Sequence, residues 1–206
     1  MRRAAAALDH LVLATPDLDV TARWIEERTG VSASPGGQHP GRGTRNVLYR
    51  LGGKRYLEII GPDPEQATPS APRPFGIDRL ANPTLVAWAV AVPDMEAAVR
   101  SARQRGFDPG PYDVMERRRP DGVLLRWRLT LPIATTIPFL IDWGDSRHPA
   151  GDAAAGLRLT TFSARDPGPD SVRDKLAAMG LTMTIEAGTE ALVMTLRGPH
   201  GSVAFA

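Results

Sequence analysis

Apolar runs separated by polar, glycine-containing intervals recur along this chain and predict a series of strands and short helices. Three of these runs lead into a Pro-Asp pair, an amphipathic segment and then a glycine; they are LDHLVLAT, TLVAWAVAV and LRLTTFSA. Within each amphipathic segment the apolar residues are three and four positions apart, which is the period of a helix with one face on a sheet. We therefore predict three strand-helix units.

The helices are predicted over residues 18–29, 95–105 and 171–179. The aspartate of each Pro-Asp pair can accept hydrogen bonds from the first turn, and the glycine can adopt the left-handed conformation that ends a helix. These paired signals are Asp17 with Gly30, Asp94 with Gly106 and Asp170 with Gly180.

Each predicted helix is followed by two more apolar runs and an interval long enough for one additional short strand. The repeating unit is therefore β-α-β-β-β, and it occurs three times, over residues 8–63, 84–146 and 157–206 of the 206 residues. Repeated units of this kind predict one α+β domain with curved, mixed, mainly antiparallel sheets and helices on the outside.

The composition of the chain excludes several classes of site and function. The chain contains no cysteine, which excludes disulfides, thiolate metal sites and a cysteine nucleophile, and agrees with a cytoplasmic location. Asp9 and His10 interrupt the first apolar run, which predicts a strand and not a signal peptide, and no run reaches the roughly 18 apolar residues of a membrane span. The only basic cluster is Arg117–Arg119; without an aromatic platform it predicts a solvated loop and not nucleic-acid binding.

The candidate chemistry is concentrated in the hairpin GGQHPGRGTRNVLYRLGGKRYLE, residues 36–58. It presents His39 on a glycine-rich loop, Asn46 on a strand and Glu58 on the next strand, while His10 lies on the first strand of the chain. We predict that these residues line a small-molecule pocket, and that His10 and Glu58 are a pair suited to proton abstraction next to a carbonyl. The structural alternative is a hydrogen-bonded strand histidine and a paired carboxylate.

Two tryptophans of the second module are further candidates for binding a substrate. Trp88 and Trp127 lie in strands of that module, where a large aromatic side chain forms either core or the wall of an apolar pocket. Both interpretations stay open at this point.

The tandem β-α-β-β-β units, the run GGQHPGRGTRN and the following YLEIIGPD resemble the vicinal oxygen chelate superfamily, and more narrowly its glyoxalase-like domain proteins. The resemblance implies that two modules form a cup and that metal ligands come from their first and last strands. It places His10 and Glu58 as one half of a ligand set for a divalent metal ion. The equivalent positions of module two hold Ala87 and Ile141, with Asp142 on the opposite face, so His39 or His148 would have to complete the set.

The resemblance implies an enzyme that acts on a small oxygenated molecule by proton transfer or by metal-assisted chemistry of the lyase, isomerase or dioxygenase type. The alternative is a non-catalytic protein of the same fold that binds or sequesters a small molecule. The vacant second half of the ligand set favours the alternative, whereas His10 and Glu58 favour the enzyme. A homodimer is expected because it is the commonest oligomer.

Overall fold

The computed structural model describes residues 7–118 and 122–206, without the side chains of Arg117 and Arg118. The backbone of these two arginines belongs to a strand, so the prediction of a loop there is wrong, while Arg119 lies outside the described residues. None of the described helices is long and apolar enough to cross a membrane.

The described elements follow the predicted order of one helix and four strands, three times over. The strands are β1 (Ala7–Ala14), β2 (Ser34–His39), β3 (Thr44–Arg50), β4 (Tyr56–Pro62), β5 (Thr84–Ala91), β6 (Tyr112–Arg118), β7 (Leu124–Thr130), β8 (Phe139–Asp142), β9 (Arg158–Asp166), β10 (Ile185–Ala187), β11 (Ala191–Arg197) and β12 (Ser202–Phe205). The helices are α1 (Leu18–Thr29), α2 (Met95–Gln104) and α3 (Pro169–Ala178). Short 3-10 turns lie at Pro74–Arg79 and Pro149–Gly151.

Two of the three predicted helix caps are present. Asp17 accepts a hydrogen bond from the Val20 amide at 3.0 Å, and Asp94 accepts one from the Ala97 amide at 2.9 Å. The third is wrong, because α3 begins at Pro169 and Asp170 already lies inside its first turn. The ring of proline restricts its backbone φ to a helical value, which favours proline at the first helical position. Helix α3 therefore begins two residues earlier in the chain than predicted.

The strands form an eight-stranded sheet in the order β2-β3-β4-β1-β5-β8-β7-β6 and a four-stranded sheet in the order β10-β9-β11-β12. In each half of the larger sheet the four strands of one module follow the order first, fourth, third, second. In the smaller sheet the first strand of the module lies between the second and the third, so the same elements pair differently. The predicted class, a mixed and mainly antiparallel α+β fold of the glyoxalase type, is confirmed.

The chain forms two compact units. The first unit comprises residues 1–10, 87–148 and 163–192, and the second comprises residues 11–86, 149–162 and 193–206. The core of the first unit includes Met95 and Leu140, and that of the second includes Ile25, Leu57 and Ile59, each at most 2% exposed. Burial of such side chains is the main favourable term in folding.

In the second unit the β3-β4 hairpin has one face on α1 and one face directed away from it. The hydroxyl of Tyr49 donates to the carbonyl of Ala22 in α1. Neighbouring strand residues alternate between faces, and Leu48 is directly opposite Glu58 in the register of the two strands. Leu48, Glu58 and Asn46 therefore share the face directed away from the helix.

The first unit has the same division of faces. Asp142 at the end of β8 accepts a hydrogen bond from the Met95 amide at the start of α2, which places it on the helix side. Ile141, one residue earlier, points to the other face. This agrees with the sequence argument that Asp142 does not replace the carboxylate expected at position 141.

Candidate functional site

The first candidate site begins with two consecutive residues of β1. Asp9 is 1% exposed and His10 is 4% exposed. The imidazole Nδ1 of His10 donates a hydrogen bond to Asp9 Oδ1 at 2.7 Å. A buried carboxylate normally has to be paired or fully hydrogen-bonded, and this contact supplies the first partner.

Two residues that follow β8 complete the surroundings of this carboxylate. His148 Nε2 donates to Asp9 Oδ2 at 2.9 Å, and Trp143 Nε1 donates to the same oxygen at 3.1 Å. Asp9, His10, Trp143 and His148, all in the first unit, form what we call the Asp9 cluster. Each oxygen of the carboxylate therefore accepts a hydrogen bond from one imidazole.

Aromatic contacts fix the rings of the cluster. The His10 ring meets the Phe139 ring edge-on, with centroids 5.4 Å apart, and the His148 ring meets Trp143 in the same manner at 5.5 Å. Trp143 also packs against Trp127 at 5.4 Å. Edge-to-face pairs of this kind restrict ring rotation in addition to burying apolar area.

The electrostatics of Asp9 follow from its surroundings. Burial alone raises the pKa of this carboxyl, but the hydrogen bonds and charges of His10 and His148 outweigh it and lower the pKa to about 2. Hydrogen bonds to the ionised form favour that form. Asp9 is therefore a carboxylate at neutral pH, and it accepts hydrogen bonds from both imidazoles.

The second candidate site lies on the β2-β3-β4 sheet of the second unit. Asn46 Nδ2 donates to Glu58 Oε1 at 2.7 Å, and His39 Nδ1 contacts the Thr44 hydroxyl at 2.9 Å. Thr44 is opposite His39 in the strand register. His39 is the last residue of β2, so its placement on a loop was wrong; the strand continues through the two glycines before it.

The amide of Asn46 is held tightly. A Cβ added at Gly36 would lie 2.1 Å from Asn46 Oδ1, so glycine is required there. Within the described part of the chain, Asn46 Oδ1 is a buried oxygen that accepts no protein hydrogen bond. A buried polar atom without a partner is costly, and this oxygen lies against the backbone of Gly36.

The remaining predicted residues lie in the first unit. Trp88 is 4% exposed and its Nε1 donates to the Thr136 carbonyl at 3.2 Å, which is the environment of a core tryptophan. Trp127 is half-buried and lines a cavity. The roles predicted for His39, Asn46, Trp88 and Trp127 in binding a substrate remain predictions.

A divalent metal ion does not fit the described donors well. Both oxygens of Asp9 accept hydrogen bonds within the cluster, and Ala87 and Ile141 provide no donor atoms. Across residues 7–118 and 122–206, no three histidine or acidic side chains are grouped for metal binding. Structural and catalytic centres usually take three or more protein ligands.

Sequence reasoning assigned no role in a site to Asp9. In an ideal strand Asp9 and His10 would point to opposite faces, so the pattern gave no reason to pair them. The available signal was an acid beside a histidine inside an apolar run, which burial makes costly unless the two interact.

The chain is similar to several solved structures. A solved structure of a hypothetical protein from Staphylococcus aureus is similar at a TM-score of 0.63 and 15% identity, covering 97% of this chain and 84% of that one. Methylmalonyl-CoA epimerase from Mycobacterium tuberculosis gives a TM-score of 0.45 and 20% identity, covering 70% of this chain and 91% of that one. No curated protein matches. The family model for the glyoxalase-like domain matches residues 8–180, and the chain therefore belongs to the glyoxalase-like domain family.

Proposed function

We propose that this protein is an enzyme that transfers a proton on a small oxygenated molecule, an isomerase or lyase, with His10 as the base. The observation that supports this is the buried 2.7 Å contact between His10 Nδ1 and Asp9 Oδ1. A carboxylate on one imidazole nitrogen fixes the tautomer and orients the ring.

The chemistry follows from that orientation. With its proton on Nδ1, His10 carries its basic lone pair on Nε2. Transfer of a C–H proton from a carbon next to a carbonyl breaks the C–H bond, forms N–H at Nε2 and moves the electron pair into the carbonyl as an enolate. The imidazolium lies against the Asp9 carboxylate, which offsets its charge. Delivery of a proton to the opposite face of that carbon, or to another atom of the enolate, gives an isomer, and loss of a neighbouring leaving group gives an elimination product.

Glu58 is the second proposed catalytic residue, in the second unit. Asn46 donates to Oε1 and so fixes the carboxylate on the face directed away from α1. Oε2 is then the oxygen that would take or return a proton. His39, on the same face, and Trp127 are proposed to contact the substrate.

A metal-dependent enzyme, such as a dioxygenase, is also proposed. In such an enzyme His10 and Glu58 would be ligands of a divalent ion. Metal analysis of protein purified without chelator tests it directly. Stoichiometric metal that is lost in the His10→Ala, Glu58→Gln double variant would support a metal enzyme. No metal in either protein would favour metal-free proton transfer.

The alternative function is a non-catalytic protein that binds or sequesters a small molecule. Ala87 and Ile141 favour it, because the second module lacks the polar side chains that a two-module active site would use. A ligand that binds without exchanging its protons would support the non-catalytic function over the enzyme. Homodimerisation and a cytoplasmic location remain predictions, the first testable by light scattering.

The deciding experiment is proton exchange in D₂O. The protein is incubated with a panel of small keto acids and hydroxy ketones, and deuterium next to the carbonyl is measured by mass spectrometry. The His10→Gln variant should lose about 10²- to 10⁴-fold in exchange rate, the usual contribution of a general base. His200→Gln, at an exposed histidine, is the matched control. Equal exchange in His10→Gln and the wild type would refute the proposal.

A further inference from the structure

We propose that a cavity of the first unit binds an organic anion that carries an apolar group. The cavity has a volume of about 680 Å³ and lies between β7 and the loop after β8. Small-molecule pockets usually measure roughly 300–1,000 Å³. None of the four residues of the Asp9 cluster lines it, so this inference goes beyond the proposed proton transfer and does not depend on it.

The positive charge of the cavity comes from three arginines. Arg126 and Arg128 are two positions apart on β7 and share a face, and Arg147 comes from the loop. The side chains of Arg126 and Arg128 are 67% and 51% exposed, so their guanidinium groups are accessible to a ligand. Guanidinium is planar and presents several donors that match a carboxylate, sulfonate or phosphate.

Two acids, Asp142 and Asp145, line the cavity beside the three arginines. Asp142 accepts hydrogen bonds from the Met95 and Gly144 amides at 3.3 and 2.9 Å, so its carboxylate is directed at backbone. Arg128 lies 3.9 Å from it, and the ion pair between Arg126 and Glu116 is long, at 3.4 Å. The Arg126–Glu116 pair is exposed on both sides, so it contributes little free energy and can be displaced by an anionic ligand.

The apolar part of the ligand is inferred from exposed aliphatic side chains around the same cavity. Val114, Val123 and Leu124 line it and are 48%, 48% and 47% exposed. Single exposed aliphatic residues are ordinary, but several beside one cavity indicate a contact surface. An alkyl or aryl group is the chemistry complementary to these exposed side chains.

The wall of the cavity is fixed before any ligand binds. The Ser146 hydroxyl donates to the Arg126 carbonyl at 2.7 Å and accepts from the Arg126 amide at 2.9 Å. These two hydrogen bonds hold the loop against β7. A preformed wall lowers the entropic cost of binding.

The test uses 8-anilinonaphthalene-1-sulfonate, an aromatic anion whose fluorescence rises in apolar surroundings. An Arg126→Gln, Arg128→Gln double variant should weaken its binding about four- to twenty-five-fold, since each exposed charge contributes about two- to five-fold. Asp145→Asn removes an acid from the lining and should tighten binding about two-fold or more. Arg197→Gln, at an exposed arginine of β11 in the second unit, should leave binding unchanged.

A neutral probe separates the anionic and apolar contributions. N-phenyl-1-naphthylamine has the same rings without the sulfonate and should bind more weakly than the anion to the wild type and equally to the wild type and the double arginine variant. Thermal unfolding of each variant, followed by circular dichroism, establishes that it is folded. Equal affinity for the two probes, or unchanged anion binding in the double variant, would overturn the proposal.

Discussion

Asp9 and His148 are 139 positions apart in the sequence, yet Asp9 Oδ2 and His148 Nε2 are 2.9 Å apart in the structure. The contact joins the first strand of the chain to the loop after β8 within the first unit. Trp143 donates to the same oxygen from the other end of that loop. One buried carboxylate therefore fixes both ends of the segment that also forms a wall of the cavity lined by Arg126, Arg128 and Arg147.

The first prediction concerns the dependence of stability on pH. Because the pKa of Asp9 is lowered from its ordinary 3.8 to about 2 in the folded protein, the carboxylate stabilises the fold above about pH 4, and this contribution is lost as the pH falls toward 2. Its size is about 2 kcal/mol. The difference in unfolding free energy between the wild type and Asp9→Asn, measured by urea denaturation, should therefore shrink by that amount between pH 5 and pH 2.

Asp174→Asn is the matched control, at an exposed acid of α3. Its difference from the wild type should change little over the same pH range. A difference for Asp9→Asn that is constant from pH 5 to pH 2 would contradict the assignment of a strongly stabilised carboxylate.

The second prediction separates the hydrogen bond of Trp143 from its packing. Trp143→Phe removes the Nε1 donor to Asp9 and keeps an aromatic ring against Trp127 and His148. Hydrogen bonds to a charged group contribute about 1.5–3 kcal/mol, so we expect a loss of unfolding free energy in that range. Trp24→Phe, at a half-buried tryptophan that contacts Phe205 and Arg28, measures the cost of the smaller ring alone. Equal losses in the two variants would exclude a special role for the hydrogen bond.

Much of the fold could be predicted from the sequence because it depends on local signals. The predicted bounds of α1 coincide with the observed ones, since Asp17 caps its start and Gly30, at φ 76°, ends it. The start of α3 was predicted less accurately, because Pro169 and Asp170 both favour the beginning of a helix. The local sequence does not distinguish between these two starting points. The strand order of the third module depends on long-range pairing, which local pattern does not encode.

The candidate site was only partly predictable for the same reason. His39, Asn46 and Glu58 are close in sequence and were placed together through one hairpin. The Asp9 cluster needs a contact across 139 positions and a departure from strict strand alternation. The periodicity of apolar residues predicts neither this contact nor this departure. Both of them satisfy the requirement that a buried carboxylate be paired.

The third prediction tests the helix-side role of Asp142. Its two oxygens accept the Met95 and Gly144 amides, so Asp142→Ala leaves two backbone donors without these partners. We expect a loss of about 2–3 kcal/mol and faster hydrogen exchange in the first turn of α2. Asp145→Ala, three residues later and exposed, is the control. Unchanged exchange at Met95 would contradict this role.

The fourth prediction concerns the packing of Gly36 against Asn46. In Gly36→Ala the new methyl group would lie 2.1 Å from Asn46 Oδ1 and 3.0 Å from the Asn46 carbonyl oxygen, so the side chain of Asn46 must move and its hydrogen bond to Glu58 breaks. We expect a loss of about 1–3 kcal/mol, the usual cost of overpacking. Gly188→Ala, where the nearest atom would be 3.6 Å away, should be close to neutral.

A double-mutant cycle assigns this cost to the Asn46 side chain. In an Asn46→Ala background the amide is gone, so Gly36→Ala should cost at least about 0.5 kcal/mol less than in the wild type, as expected for residues in direct contact. Chemical denaturation of the four proteins measures the coupling. If the two substitutions were additive, the clash would lie with the backbone alone, and Gly36 would have no part in holding Asn46 against Glu58.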